Sequence, residues 1–297
     1  MPELPEVDAL VVNLRRDVVD RVIDRVDVAS IAALKTFDPP VDVLRESRVV
    51  DVRRIGKHID LVVRATDDRQ WHVIVHLARA GWLKLRESVD GAPPKGSAAV
   101  LSRGPVALRI AFVDGATLVI TDAAKQKKVA VSVVSEPAMV PSVARLGIDP
   151  LASAFDVEAL SELLDAQPRK QIKGLLRDQS SIAGIGNAYS DEILHAAKIS
   201  PFAAAGSLDL DARVVLHDTI VDMLTRAMTA AHELSYTELK DGKRQSMAVH
   251  GRTGQTCSVC ADVIREVSFS DSSLQYCATC QTGGKPLKDR STSKFLK

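Results

Sequence analysis

The sequence predicts an α+β chain built from an antiparallel β-rich N-terminal half, a helical stretch and a C-terminal hairpin stapled by cysteines. Three observations predict it. Short β-branched runs bounded by Gly, Asp, Pro or Lys recur from about residue 48 to 136; helical periodicity dominates from about 156 to 234; and the four cysteines fall as Cys257-x2-Cys260-x16-Cys277-x2-Cys280. At 297 residues and a prior of ~150 per domain, about two domains are expected, and 46% hydrophobic residues suffice for a buried core. This excludes disordered, collagenous and coiled-coil classes. No apolar run approaches the ~18 residues of a membrane span, and the start Met1-Pro2-Glu3 lacks a basic secretory n-region, so a soluble cytoplasmic protein is expected.

In order along the chain, PEVDALVVNLRRDVVDRVI (5–23) places Val7, Leu10, Val11, Leu14, Val18 and Val22 at helical intervals, with Glu6 and Asp8 where the helix dipole favours acids. The strand runs are SRVVDVRRIG, HIDLVVRA, WHVIVHLARAGWLKL, VALRIAFV, ATLVITD and KVAVSVV, a spacing that suits a sandwich or barrel. AMVPSVARLGIDP (138–150), with Pro141, Gly147 and Pro150, reads as a connection between domains. Helices are expected over DVEALSELLDAQ, RKQIKGLLRDQ, AYSDEILHAAK and LDARVVLHDTIVDMLTRAMTAAHEL, followed by a Gly/Lys-rich passage.

Two CxxC knuckles supply four thiolates able to converge on Zn²⁺, with an intervening stretch that suits a β-hairpin. With no His or carboxylate leaving an open position, the expected zinc is structural and contributes folding energy directly. The segment QSSIAGIGNAYSDEIL sets Gly184, Gly186 and Asn187 before a helix. Such a turn is either an ordinary helix–helix corner or a place where backbone and an Asn side chain meet a phosphate. Net charge is +1, yet residues 235–297 carry ten Lys/Arg against six Asp/Glu, so a polyanion would meet this end and a focused patch elsewhere; a solvated tail is the other reading.

Four blocks in order, MPELPEV, RRIGKHIDL, DQSSIAGIGNAYSDEIL and VHGRTG…CSVC…CATCQ, make the chain resemble the bacterial formamidopyrimidine-DNA glycosylase and endonuclease VIII family of base-excision repair enzymes. They run from residue 1 to 281. The resemblance implies a two-layer β-sandwich with flanking helices (1–137), a helix-two-turn-helix domain (138–245), a zinc finger (246–284) and, past the usual family end, a basic extension (285–297), with DNA lying between the first two.

It also implies roles. Pro2, a helix-starting residue by its type alone, becomes a nucleophile once Met1 is removed, because a secondary α-amine with a pKa near ~8 is partly neutral at physiological pH. Glu3 is implied as general acid/base, which calls for a partly desolvated carboxyl with a raised pKa; a first-turn acid serving the helix dipole is its simpler reading. Glu6 matches an acidic position near the lesion or caps the helix. Lys57 matches a hairpin lysine on a phosphate beside the flipped sugar, and Asn187 with Gly186 would hold neighbouring phosphates, with Lys173 and Lys170 on the preceding helix as further contacts.

The chain departs from the family pattern at several places. Where relatives carry a phosphate-gripping arginine near the finger's hairpin tip, FSDSSLQYC offers Ser272 and Ser273, and Lys285, Lys288 and Arg290 of the extension are its expected substitutes. At the positions that fill the gap left by a flipped base, HLARAGW places Arg79 with Trp82 nearby, and TDAAKQKK places Lys125 and Gln126. The passage from Lys240 to Val249 is short for a cap over oxidised purines. The expected protein is a bifunctional glycosylase and abasic-site lyase acting as a monomer on damaged or abasic DNA, nucleoid-associated, without organic cofactor. The same residues fit a non-catalytic binder of damaged DNA or an RNA-binding zinc-ribbon protein.

Overall fold

In the computed structural model, residues 1–87, 104–270 and 272–288 are described. The chain forms two compact units, residues 1–145 with 231–239, and residues 146–230 with 240–297.

The first unit opens with helix α1 (Leu4–Val18), whose Val7, Leu10, Leu14 and Val18 are fully buried. Burial of each such side chain contributes about 1.5–3 kcal/mol, which holds the helix where propensity alone would not. The helix stops at Val18, short of the expected residue 23, because Asp20 turns the chain with φ 69°. Val22 then bridges Arg48, and a strand the sequence pattern did not reveal, β1 (Ile23–Val28), begins.

The remaining strands of this unit are β2 (Arg48–Ile55), β3 (His58–Arg64), β4 (Gln70–His76), β5 (Gly81–Arg86), β6 (Val106–Phe112), β7 (Thr117–Asp122) and β8 (Ala130–Val134). They form two antiparallel sheets, ordered β1-β6-β7-β5 and β2-β3-β4-β8. The unit is a sandwich, and Leu61, Val63, Val73, Val75, Leu108, Ile110, Leu118 and Ile120 are members of its core. Residues 138–145 are more than a connection: Val140 and Val143 around helix α2 (Pro141–Ala144) pack with Ile74 and Val134 on the other side of the second sheet. Ala231 and Leu239 return to the main core.

The second unit holds α3 (Val157–Ala166), α4 (Ile172–Arg177), α5 (Asn187–Ala196) and α6 (Leu210–His232), whose last turn lies in the first unit; α7 (Leu239–Ser246) follows. α7 falls in the Gly/Lys-rich passage, where no helix was expected. Gly147 is required beneath the α4–α5 turn, since a Cβ there would stand 2.2 Å from the Ser181 carbonyl oxygen. The finger is the hairpin β9 (Ile264–Ser268) and β10 (Ser273–Cys277) followed by the short α8 (Ala278–Thr282). Beside it, Val267, Leu274, Tyr276 and Ala278 make a small core joined by Phe202 and Leu287.

Candidate functional site

At the start of α1, Pro2 is buried and Glu3 and Glu6 are 2% and 3% exposed. The two acids form a reciprocal capping box, and the Glu3 N–H donates to Glu6 Oε2 at 2.8 Å. Glu6 therefore caps the helix, one of its two expected roles, and the box fixes the backbone on which Pro2 and Glu3 sit.

One turn on, Asp8 accepts from Arg54 Nε at 3.0 Å and faces His232 Nε2 at 2.7 Å. Arg54 also reaches the Gly56 carbonyl, so α1 is tied to the β2–β3 turn. Gly56 (φ 56°) and Lys57 make that two-residue turn between the paired Ile55 and His58; positive φ at Gly56 with Lys57 outside that region is the pattern of a type II′ hairpin. Lys57, a residue type usually solvated, is only 6% exposed.

Two histidines that sequence reasoning missed lie beside it. The rings of His58 and His76 are 4.8 Å apart, and His58 contacts the Ile55 carbonyl and, 3.0 Å away, Ser142 Oγ. Burial holds His76 down to about 4, helped by the charges of His58 and Lys57, and burial lowers His58 as well. Both rings are thus mainly neutral at pH 7 and add little positive charge beside Lys57 and Arg54.

Arg79 is exposed in the tight turn 77–81, where Ala78 has φ 51° and a Cβ on Gly81 would lie 2.1 Å from the Leu77 carbonyl oxygen. Trp82 is engaged differently: its ring packs on the sandwich core and Nε1 donates to the Tyr236 carbonyl at 2.8 Å. Lys125 and Gln126 are exposed in a loop shaped by Asp122, whose carboxylate accepts from the N–H groups of Ala124, Lys128 and Val129.

In the second unit the Gln179 side chain spans the GIGN turn, donating to the Ile185 carbonyl and accepting from the Gly184 N–H. Gly184 has φ 99°, which glycine alone adopts without strain. Asn187 Nδ2 donates to the Ser273 carbonyl at 2.8 Å, so its amide N–H holds the finger hairpin and Oδ1 is left as a buried acceptor. Lys173 is buried, with Nζ 2.5 Å from Asp191 Oδ1 and 2.9 Å from Ser190 Oγ; its charge is matched inside the protein. Lys170 is likewise paired, and it holds the Asp178 carboxyl down to about 2.

The cysteines converge. Cys257 and Cys280 sulfurs are 3.9 Å apart, Cys260 and Cys277 3.3 Å, and His195 Nε2 lies 3.3 Å from Cys257 Sγ. Backbone N–H groups of Val259 and Cys260 reach the Cys257 sulfur, as in a metal-binding knuckle. The donor atoms of His195, Cys257, Cys277 and Cys280 lie within 4.8 Å of one another and Cys260 stands beside Cys277, a donor set that fits a thiophilic divalent ion. His195 was missed by sequence reasoning because it stands 62 residues upstream of Cys257. Lys285 and Lys288 are exposed, and between them Leu287 is anchored by donating its N–H to the Tyr276 hydroxyl at 2.7 Å. Arg290 lies outside the described residues.

These placements invite comparison with known proteins. Residues 1–129 match the formamidopyrimidine-DNA glycosylase N-terminal domain and residues 146–238 the H2TH domain of the same enzymes. The chain belongs to the formamidopyrimidine-DNA glycosylase family. It is 31% identical to the formamidopyrimidine-DNA glycosylase of Exiguobacterium sibiricum, covering 95% of this chain and 99% of that one. Over 127 residues, 43% of this chain and 80% of the relative, it is 54% identical to an uncharacterized formamidopyrimidine-DNA glycosylase-like protein of Mycobacterium tuberculosis. A crystal structure of the Lactococcus lactis enzyme, non-covalently bound to DNA containing an AP site, superposes with a TM-score of 0.78 at 26% identity, covering 94% of this chain and 99% of that one. The sandwich, the helix-two-turn-helix arrangement and the cysteine hairpin expected from the sequence are those of this family. Among the described residues, no helix is long and apolar enough to cross a membrane.

Proposed function

We propose that the protein is a DNA glycosylase of base-excision repair with abasic-site lyase activity, working as a monomer in the cytoplasm on damaged or abasic DNA. One observation carries this reading: two carboxylates are buried with Pro2 at the start of α1, and Arg54 ties that helix to the turn bearing Lys57. An acid buried beside a secondary amine suits an amine nucleophile next to a proton donor.

Removal of Met1 frees the Pro2 nitrogen. That nitrogen attacks C1′ of the damaged nucleotide, the C1′–base bond breaks, and the base leaves with a proton. Glu3 protonates the sugar ring oxygen, and ring opening gives an iminium between Pro2 and C1′. Loss of a C2′ proton then breaks the C3′–O bond and cuts the strand by β-elimination; a second elimination at C5′ completes excision. Lys57 holds a phosphate beside the extruded sugar, and peptide N–H groups at Gly186 and Asn187 hold neighbours. These contacts offset the few kcal/mol that extrusion costs. Arg79, at its tight-turn tip, is the residue offered to the lesion or to the space it leaves, whereas the engagement of Trp82 with Tyr236 supports a packing role for the indole.

The Cys257, Cys260, Cys277 and Cys280 thiolates hold zinc, which supplies folding energy to the finger and takes no part in bond breaking. The exposed Lys285 and Lys288, with Arg290 beyond them, add charge for the backbone where Ser272 and Ser273 bring none.

Borohydride trapping on an abasic oligonucleotide tests the reading. Met1-processed protein is expected to give a covalent adduct that mass spectrometry maps to Pro2 and that Pro2→Gly abolishes. An adduct at another amine, or binding without any adduct, would overturn the mechanism and leave a damaged-DNA binder. Tighter binding to structured RNA at equal salt would overturn the substrate class.

A further inference from the structure

The polar side chains on one stripe of α5 each reach a different piece of the finger. Asn187 holds the Ser273 carbonyl of the hairpin. Asp191 Oδ2 lies 2.7 Å from His250 Nδ1, while its other oxygen takes Lys173. Glu192 accepts the backbone N–H groups of Ala248, Val249 and His250 at 2.8, 2.9 and 2.7 Å. His195 reaches the Cys257 sulfur at 3.3 Å. Residues 187, 191 and 195 recur every four positions, so they share a face; at ~1.5 Å rise per residue, Asn187 and His195 lie about 12 Å apart along it. The face is buried: His195, Glu192 and Asp191 are 5%, 5% and 1% exposed.

Five donors therefore surround a position that a four-coordinate ion would take, since His195 Nε2 and the sulfurs of Cys257, Cys277 and Cys280 lie within 4.8 Å of one another and Cys260 Sγ is 3.3 Å from Cys277 Sγ. Four thiolates around a divalent ion carry two excess negative charges, and in a buried setting such charge is offset by N–H donors aimed at the sulfurs. The backbone supplies Cys257 with two, from Val259 and Cys260. His195 Nε2, 3.3 Å from the Cys257 sulfur, supplies a third in the tautomer that carries its proton on that nitrogen.

We propose that His195 is an outer-sphere donor to the metal-bound Cys257 thiolate, and that through α5 it couples metal retention to the position of the Asn187 turn. The four cysteines are the ligands; His195 is a positioning residue that orients one of them. Losing its N–H leaves the ligand set intact and weakens its hold, and the stripe then carries that slack toward Ser273.

Full-length His195→Leu and His195→Gln proteins test this with cobalt and zinc. Cobalt-loaded wild type and both variants are expected to share the absorption bands of a four-sulfur site. Zinc transfer to a chromophoric chelator is expected to be about tenfold faster in His195→Leu, the lower end of the range for lost outer-shell partners, and His195→Gln, which retains an N–H donor, restores most of it. Hydrogen exchange at residues 187–190 is expected to rise in His195→Leu and to stay near wild type in His195→Gln. A mixed sulfur–nitrogen cobalt spectrum in wild type that His195→Leu converts to four sulfurs would overturn the proposal by making His195 a ligand. Unchanged zinc transfer in His195→Leu would overturn it as well. Should His195→Leu fail to fold, the wild-type cobalt spectrum and the His195→Gln transfer rate still decide: a mixed-ligand spectrum, or loss in His195→Gln tenfold faster than wild type, counts against it.

Discussion

The sandwich buries Leu10, Leu61, Leu108, Leu118 and Ile120 within one core, whereas the cluster at the base of the finger consists of Val249, Cys257, Ile264 and Cys277. The first unit can draw its stability from apolar area. The finger has a second small cluster in Val267, Leu274, Tyr276 and Ala278, but in the cluster at its base two of the four members double as thiol donors. Domains this small need a staple, and here the staple and the core are partly the same atoms. The sandwich is therefore vulnerable to lost volume and the finger to lost ligands.

Removing a ligand is expected to have the largest effect. Cys257→Ser, or chelation, is expected to unfold the finger, since structural zinc is worth about 10–16 kcal/mol in small finger peptides. Hydrogen exchange should then rise across residues 264–277 while residues 58–64 and 118–122 stay protected; loss of protection in both units together would show that the finger is no separate metal-dependent element. Removing volume should do the reverse. Leu10→Ala is expected to cost the sandwich about 2–5 kcal/mol in denaturant unfolding without changing the rate of metal loss.

Acid sharpens the contrast inside the first unit. His76 is held at about 4 in the folded chain against an ordinary 6.5, so from pH 6.5 down to 4 the unfolded chain takes up a proton that the folded chain refuses. Stability therefore falls as pH drops through that window, by up to about 3 kcal/mol, and His76→Gln is expected to flatten the slope. A slope that His76→Gln leaves intact would assign the acid sensitivity elsewhere.

The units also present charge differently. Lys57 is only 6% exposed in the β2–β3 turn, and Lys57→Ala is expected to weaken abasic-duplex binding by about 2 kcal/mol, as for one well-placed charge-assisted bond. Lys285 and Lys288 are exposed, so replacing both by Ala is expected to cost about 1 kcal/mol and to lower the salt slope by about 1–2. Equal effects would mean that burial of Lys57 adds nothing to its grip.

Much of this was legible in the sequence because it is written in periodicity and spacing. The apolar stripe of α1, the alternating strand runs and the two CxxC pairs each reflect one local rule. β1 was not legible: IDRVDV is rich in charge, and its strand character comes from pairing with β6. The end of α1 at Val18 depends on a left-handed Asp20, a conformation that no hydrophobic pattern announces. Among site residues, Lys57 and Asn187 could be picked out, but the sequence did not say that Lys57 would be enclosed or that the Asn187 amide would hold Ser273. His58 and His76 meet only through strand register, and His195 meets Cys257 only through tertiary packing.

The return of residues 231–239 to the first unit has a practical and evolutionary consequence. A fragment ending near residue 145 would lack Ala231 and Leu239 from its core, the Leu234 carbonyl that Asn13 holds at 3.0 Å, and the Tyr236 hydroxyl bonded to Asp17. A single crossover cannot lift out this sandwich whole. Recombination that shuffles the N-terminal half must carry a second, distant stretch of gene with it, and expression of that half alone calls for the later segment to be grafted on.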